Sequence, residues 1–292
     1  MKPHTVDRRR IEQRVRLDRS VKRLFFLATL FAVAVLAVLL YRIVRDSIGW
    51  LDLQFLTSNL SIFPEKAGIK GVILGTVYMM LIVIPVTLFL GVSTAIYLEE
   101  YAKESRLKRI IKVNISNLAS VPSVIFGLLG LTVFSRALNL GSSILAGGLT
   151  MSLLVLPIVV VAAQEALKAV PGFLREASYG MGAGKWTTVW RVSLPMALPG
   201  ILTGAILGIS RAIGETAPLV VLGIPALLLK LPTNIMDDFT VMPIQIYYWT
   251  LDTVLTPEYA YLAAATIVVL LVTLFILNSA AIVIRNKFQK QF

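Results

Sequence analysis

The chain has no cysteine, and its single histidine is His4, inside a charged N-terminal stretch. A disulfide framework and a thiolate metal site are therefore excluded, and histidine-based catalysis or metal binding inside a membrane has no residue to use. Charge is scarce as well: 15% of residues are charged against 57% hydrophobic, and the mean hydropathy is +0.81. The hydrolase patterns G-x-S-x-G and H-E-x-x-H do not occur. Gly184-Lys185 has the end of a P-loop, but that loop needs Gly at 179 and Ser or Thr at 186, where the chain has Tyr179 and Trp186. ATP hydrolysis by this chain itself is not expected, and no cofactor bound by the chain is expected. An intramembrane enzyme needs a nucleophile with a base or a set of metal ligands, so that class and a passive scaffold stand only as remote alternatives.

What is present is long apolar segments. They place the chain among polytopic membrane proteins, and the expected fold is all-α because unpaired backbone cannot face lipid. Six transmembrane helices are expected at Leu24–Val44, Gly71–Leu98, Asn114–Leu138, Leu140–Ala163, Gly200–Leu222 and Tyr261–Ile284. They form one transmembrane domain, 24–284, between a basic tail (1–23) and a C-terminal tail (285–292). Arg8-Arg9-Arg10 precede an apolar run too long for a leader, so the first helix is expected to stay as an anchor. Pro85 is expected to kink the second span; Pro122, Gly127 and Gly130 are expected to loosen the third and let it approach its neighbours.

The net charge of +12 is unevenly placed. Six spans put both termini on one side. That side receives the two tails, the 99–113 loop and the 164–199 stretch, with most of the Lys and Arg. The other side holds only Arg42, Arg45, Lys66, Lys70, Arg136 and Lys230. The positive-inside rule makes the first side cytoplasmic, so the basic excess serves anionic lipid and not nucleic acid. On the external side Trp249, Tyr247 and Tyr248 suit an interface belt, and Asp237-Asp238 suit a solvated loop.

The polar stretch 164–199 interrupts the apolar segments. It reads as helix, glycine break at Gly180, Gly182 and Gly184, then a short amphipathic piece from Trp186 ended by Pro195 and Pro199. A short helix at the membrane surface suits docking into a groove of a soluble partner. A second chemical feature is Arg211, the one basic residue expected deep in a span, with Glu215 four residues on and Thr216 beside it. A mid-bilayer charge costs ~2.5–3.5 kcal/mol, so it demands a polar path or a partner. A guanidinium offers a planar fork of donors suited to tetrahedral oxyanions. A static intramembrane ion pair is the competing explanation.

The spacing E-A-S-x3-G-x9-V-x-L-P, carried by Glu176, Ala177, Gly182, Leu194 and Pro195, resembles the coupling motif of ABC importer permeases; Ser178 and Val192 stand where Ala and Ile are usual. The segments R-A-I-G-E-T-A-P-L (from Arg211) and S-V-P-S-V-I-F-G-L (from Ser120) are similar to those of the phosphate-specific permeases of the PstA type. That resemblance implies the type I ABC importer permease fold in a bacterial-type plasma (inner) membrane. It implies a transport subunit, not an enzyme, that passes inorganic phosphate by alternating access near Arg211, Glu215 and Thr216. It further implies a homologous second permease as heterodimer partner, two copies of an ATP-binding subunit carrying ATP and Mg, and an extracytoplasmic phosphate-binding protein. Sulfate, molybdate or a polar solute are the alternative cargoes.

Overall fold

The computed structural model describes residues 8–228 and 230–288. His4 and the rest of residues 1–7, and residues 289–292 of the C-terminal tail, lie outside the described residues. Helices account for all the regular structure among the described residues except one isolated bridge between Ser143 and Asp238.

The first helix, α1 (Arg8–Ser47), runs unbroken from the basic stretch through the apolar one. At about 1.5 Å per residue it is roughly 60 Å long, twice the hydrocarbon thickness of a bilayer, so its basic half must stand outside the apolar layer. It packs mainly on the last helix and exposes Phe25, Phe31, Leu36 and Val38, as suits a helix surrounded by lipid. A short α2 (Leu53–Thr57) follows, started by the Asp52 carboxylate, which accepts from the Phe55 amide at 2.7 Å. Helix α3 (Lys70–Ile96) runs on through Pro85 and ends in a π turn, Tyr97–Tyr101.

The third apolar segment differs from its expectation. It is not one rod but two helices, α4 (Arg106–Leu118) and α5 (Ser123–Leu129, prolonged as a π-helix over Gly130–Ala137), set 105° apart. Pro122 precedes the first residue of α5, where its fixed φ and missing N–H suit a helix start and not a helix interior. Five described helices are therefore long and apolar enough to cross a membrane, with a sixth if the bent pair counts as one.

Helix α6 (Ile144–Lys168) is capped by Ser143, whose hydroxyl accepts from the Ala146 amide at 3.2 Å. After it come α7 (Gly172–Gly180), α8 (Lys185–Thr188), a π turn at Val189–Ser193 and α9 (Leu194–Gly214). Pro195 and Pro199 do not end a short amphipathic piece, as expected; α8, the π turn and α9 form one continuous span from Lys185 to Gly214. Pro195 lies in the first turn of α9, and the wider hydrogen-bond ring of the preceding π turn accommodates its missing donor. The fifth span also stops short of Leu222. The chain extends at Glu215, then makes a separate short α10 (Ala217–Leu222) closed by Gly223 at φ 85°. Helices α11 (Met242–Asp252) and α12 (Tyr259–Phe288) complete the fold.

The centre is α6, held between α3 and α9. Small residues permit the approach on α9: a Cβ at Gly200 or Gly204 would strike Ala166 or Ala162 of α6. Gly127 of α5 sits against the Pro218 carbonyl of α10, where a Cβ would come to 2.7 Å, and a Cβ at Gly130 would strike Thr150 of α6, so the expected close approach of the third segment is made to both α10 and α6. The 223–241 connection seals one end of this core. Asp237 O accepts from Ile144 N at 3.1 Å, Ile235 O from Leu145 N at 2.9 Å, and Thr76 Oγ1 from Met242 N at 3.1 Å. Trp249 is not part of an exposed belt: it is 3% exposed, packed between Phe55 and Tyr259. Tyr247 is exposed and meets Tyr248 edge-on.

Candidate functional site

At the end of the bundle opposite that connection, α7 and α8 form an elbow. Gly182 makes it possible. Its φ of 80° is left-handed, and of the three glycines there it alone needs that freedom; Gly180 closes α7 and Gly184 is extended. The Ser178 and Thr188 hydroxyls meet at 2.9 Å and tie the two arms together. Ser178, a departure from the usual Ala of the spacing, therefore has a contact of its own.

Helix α7 has two faces. Leu174 and Arg175 turn inward, Leu174 against a cluster of Ala95, Ala163, Leu167, Val170 and Ala197. Phe173, Glu176, Ala177 and Tyr179 turn outward and are exposed. Met181 at the tip is 89% exposed, and Trp186 on α8 is also exposed. An apolar tip standing off the end of a bundle, with an acid at Glu176 that has no ion pair among the described residues, is a surface shaped for another protein. Of the remaining expected residues, Leu194 is half-buried in the same cluster as Leu174, and Pro195 is exposed.

Arg175 was not singled out by sequence reasoning, yet it makes the elbow's strongest attachment. Its Nε and Nη2 donate to Glu100 Oε1 at 3.1 and 2.9 Å, its Nη1 to Val170 O at 3.0 Å and its Nη2 also to Leu167 O at 2.8 Å. The neighbouring acid, Glu99, pairs with Lys112 of α4 at 2.8 Å. Lys185 lies 5.2 Å from the centre of the Tyr101 ring. Nothing periodic links residues 75 positions apart, so a charged loop gave no sign of these pairings. On the 102–105 loop, Lys108 Nζ donates to Glu104 at 2.6 Å, and that bond holds the Glu104 carboxyl below its ordinary pKa.

The second expected group lies far from the elbow. Arg211 sits in the last turn of α9, about 24 Å along the helix from Pro195 at roughly 1.5 Å per residue. It is thus nearer the far end of the span than its middle, where a cation also suits the helix's negative pole. Arg211 and Glu215 do meet, but loosely: Nε to Oε2 is 3.9 Å, beyond hydrogen-bond range, with the guanidinium 54% exposed and the carboxylate 20%. They are not on one helix face, because Glu215 is already extended. Thr216 begins α10, its carbonyl accepting from Leu219 and Val220. Thr203, Leu207 and Arg211 form an exposed stripe at i, i+4 spacing, touched at its Thr203 end by Arg285 Nη1 at 3.5 Å, so the guanidinium belongs to a face of α9 that the described residues leave largely uncovered.

The Asp237 carboxylate is occupied within its own loop. Oδ2 accepts from Thr233 N at 2.7 Å, Asn234 N at 2.9 Å and Thr233 Oγ1 at 3.0 Å. The Thr233 amide is the main cause of a pKa held below the usual 3.8.

Residues 87–288 match the family described as "Binding-protein-dependent transport system inner membrane component". The chain is 33% identical over 202 residues to the "Probable ABC transporter permease protein YqgI" of Bacillus subtilis, covering 69% of each. It is 36% identical over 215 residues to the "Phosphate transport system permease protein PstA 1" of Mycobacterium tuberculosis, covering 72% of this chain and 70% of that one. A solved bacterial ABC transporter involved in import of the acidic polysaccharide alginate superposes with TM-score 0.58 at 16% identity, over 94% of this chain and 100% of that one.

Proposed function

The chain belongs to the family of binding-protein-dependent transport system inner membrane components, a multi-pass membrane transport subunit, and on that premise we propose that it is the permease of an ATP-driven importer of inorganic phosphate. One observation carries the reading: the glycine-hinged elbow of α7 and α8, with Phe173, Tyr179, Met181 and Trp186 exposed and Glu176 on the same outer surface. It faces the cytoplasm, as the distribution of Lys and Arg requires, and an ATP-binding subunit takes hold of it. A second copy of that subunit grips the matching elbow of a second, homologous permease, and the uncovered stripe of α9 faces that permease. ATP and Mg are held by the ATP-binding subunits. An extracytoplasmic binding protein delivers the anion at the end sealed by residues 223–241, and the assembly sits in the plasma membrane of a bacterium.

Phosphate as cargo is supported by the names of relatives such as the Mycobacterium tuberculosis protein and by chemistry. Arg211 projects from the exposed stripe near the outer end of α9, and among the described residues its one ion-pair partner is a carboxylate 3.9 Å away. Glu215 balances its charge while the path is empty; an arriving oxyanion displaces that weak partner and takes the planar fork. Thr216 offers a hydroxyl at the same break in the span.

The test is the complete transporter in proteoliposomes. Phosphate with its binding protein is expected to stimulate ATP hydrolysis and uptake, and Gly182→Pro is expected to abolish both while the chain remains in the membrane. Stimulation by sulfate or molybdate in place of phosphate would transfer the cargo assignment to that anion. Full uptake by Gly182→Pro would contradict the elbow's role.

A further inference from the structure

Two acids stand side by side on the π turn that ends α3, and each is taken by a different element. Glu100, 6% exposed, receives two bonds from Arg175 of the elbow; Glu99, 11% exposed, receives Lys112 of α4. Adjacent residues on a helix diverge and cannot serve one neighbour, so a consecutive pair of acids is suited to pin two. Arg175 is fixed further by the carbonyls of Val170 and Leu167, which close α6. Four elements therefore meet here: the end of α3, the end of α6, the elbow helix α7, and α4. Beyond α4 lies the 105° break before α5, and α5 packs through Gly127 on α10, the segment that directly follows Glu215 and Thr216.

We propose that the Glu99–Glu100 pair is a two-pin joint that makes the elbow and α4 move as one body, with Arg175 and Lys112 as positioning residues that carry the elbow's displacement to the broken third segment. This rests on the permease reading and assigns the route its motion takes inside this chain. The attachment is directional. The guanidinium of Arg175 is planar and engaged by Glu100 of α3 and by the Val170 and Leu167 carbonyls at the end of α6, so α7 cannot rotate against both without breaking several bonds together. Lys112, 28% exposed, meets the adjacent acid of the same turn and so holds α4 to the body that carries the elbow. Displacement of the elbow then alters the angle at Ala119–Pro122, where the chain has no helix to resist it.

The joint is tested in the assembled transporter by hydrolysis, uptake and distance together. Glu100→Gln keeps the size of the side chain and removes its charge, and Arg175→Gln removes the charge and the three-nitrogen fork together. Each is expected to leave ATP hydrolysis running and to lower phosphate taken up per ATP by at least about fivefold, the low end of ordinary coupling between sites. The double variant is expected to be no worse than either single one, because both remove the same pin. Lys112→Gln is expected to uncouple in the same sense. A variant that merely misfolds lowers hydrolysis and uptake together and leaves their ratio unchanged, and that result would overturn the proposal, as would additive losses in the double variant.

Because the chain has no cysteine, two introduced ones can be spin-labelled without interference. Gly172→Cys on α7 has open space around its Cβ, and Asn114 on α4 is exposed. The Gly172–Asn114 distance is expected to stay constant between nucleotide-free and ATP-bound complexes, while the distance from Gly172 to a label at the exposed Val283 of α12 changes. In Arg175→Gln the first distance is expected to shift or broaden. A Gly172–Asn114 distance that follows nucleotide in the unaltered complex means the elbow moves without α4 and overturns the joint. The label distances judge the joint whatever the cargo is, whereas ATP-driven uptake that ignores phosphate defeats only the cargo assignment.

Discussion

Arg211 and Asp237 are both charged groups near one end of the bundle, and their surroundings give them opposite characters. One oxygen of Asp237 is engaged by three donors within its own loop, whereas Arg211 has, among the described residues, a single distant partner and an exposed fork. A group left with unused donors in a costly place is the better candidate for binding. Arg211→Ala is expected to lower phosphate uptake by about tenfold or more, corresponding to the ~1.5 kcal/mol of a charge-assisted hydrogen bond; Lys230→Ala, exposed on the 223–241 connection, is expected to change it little. Equal small losses in the two variants would leave Arg211 a static ion-pair member. For Asp237 the sign follows from a depressed pKa. Its bonds stabilise the loop fully above the ordinary value of 3.8 and fail only as pH falls through the lower folded value. The amide resonances of Thr233 and Asn234 are therefore expected to hold steady from neutral pH to about 4, and Asp237→Asn to displace them at every pH; a titration well above 3.8 would contradict this.

Among the elements, the apolar lengths of the spans were readable in the sequence, but their direction and continuity were not. A run of apolar residues states how much lipid a segment tolerates. It does not state that Pro122 starts a new helix at 105° to the last, or that Pro195 is absorbed by a π turn. In both places the same residue type, proline, acts according to the hydrogen bonding around it, which only the folded neighbours decide. The nearness of Arg211 and Glu215 was legible from their separation of four, though not the break that takes Glu215 off the helix face, and the pairing of Glu100 with Arg175 was illegible because the two lie far apart in the chain. The hinge at Gly182 was visible as one of three glycines, and only the backbone singles it out. The α6–α9 crossing supplies a direct check on packing. A Cβ at Gly204 would overlap Ala162, so Gly204→Ala is expected to cost about 1–3 kcal/mol as an overpacked contact. Ala162→Gly added to it is expected to recover part of the loss in thermal unfolding of the detergent-solubilised chain. No recovery would mean that the two helices do not touch there.

At the scale of the whole molecule, the features divide by end. The elbow, its acidic joint and the basic residues of 99–113 gather at one end; the stacked Trp249 and Tyr259 and the 223–241 connection gather at the other. Arg211, in the last turn of α9, lies toward that second end on the largely uncovered side of the helix. A subunit that moves an anion under power from another protein needs this separation, because force enters at one end and cargo at the other. The side of the membrane on which the elbow stands therefore matters more than any single contact. Its tip offers a direct measurement: Met181→Cys, the only cysteine in the chain and at an 89% exposed position, labelled in sealed vesicles by a membrane-impermeant maleimide. Labelling in inside-out but not right-side-out vesicles, with protection once the ATP-binding subunit is present, is the result expected; labelling from the outer side, or labelling undiminished by that subunit, would contradict the account.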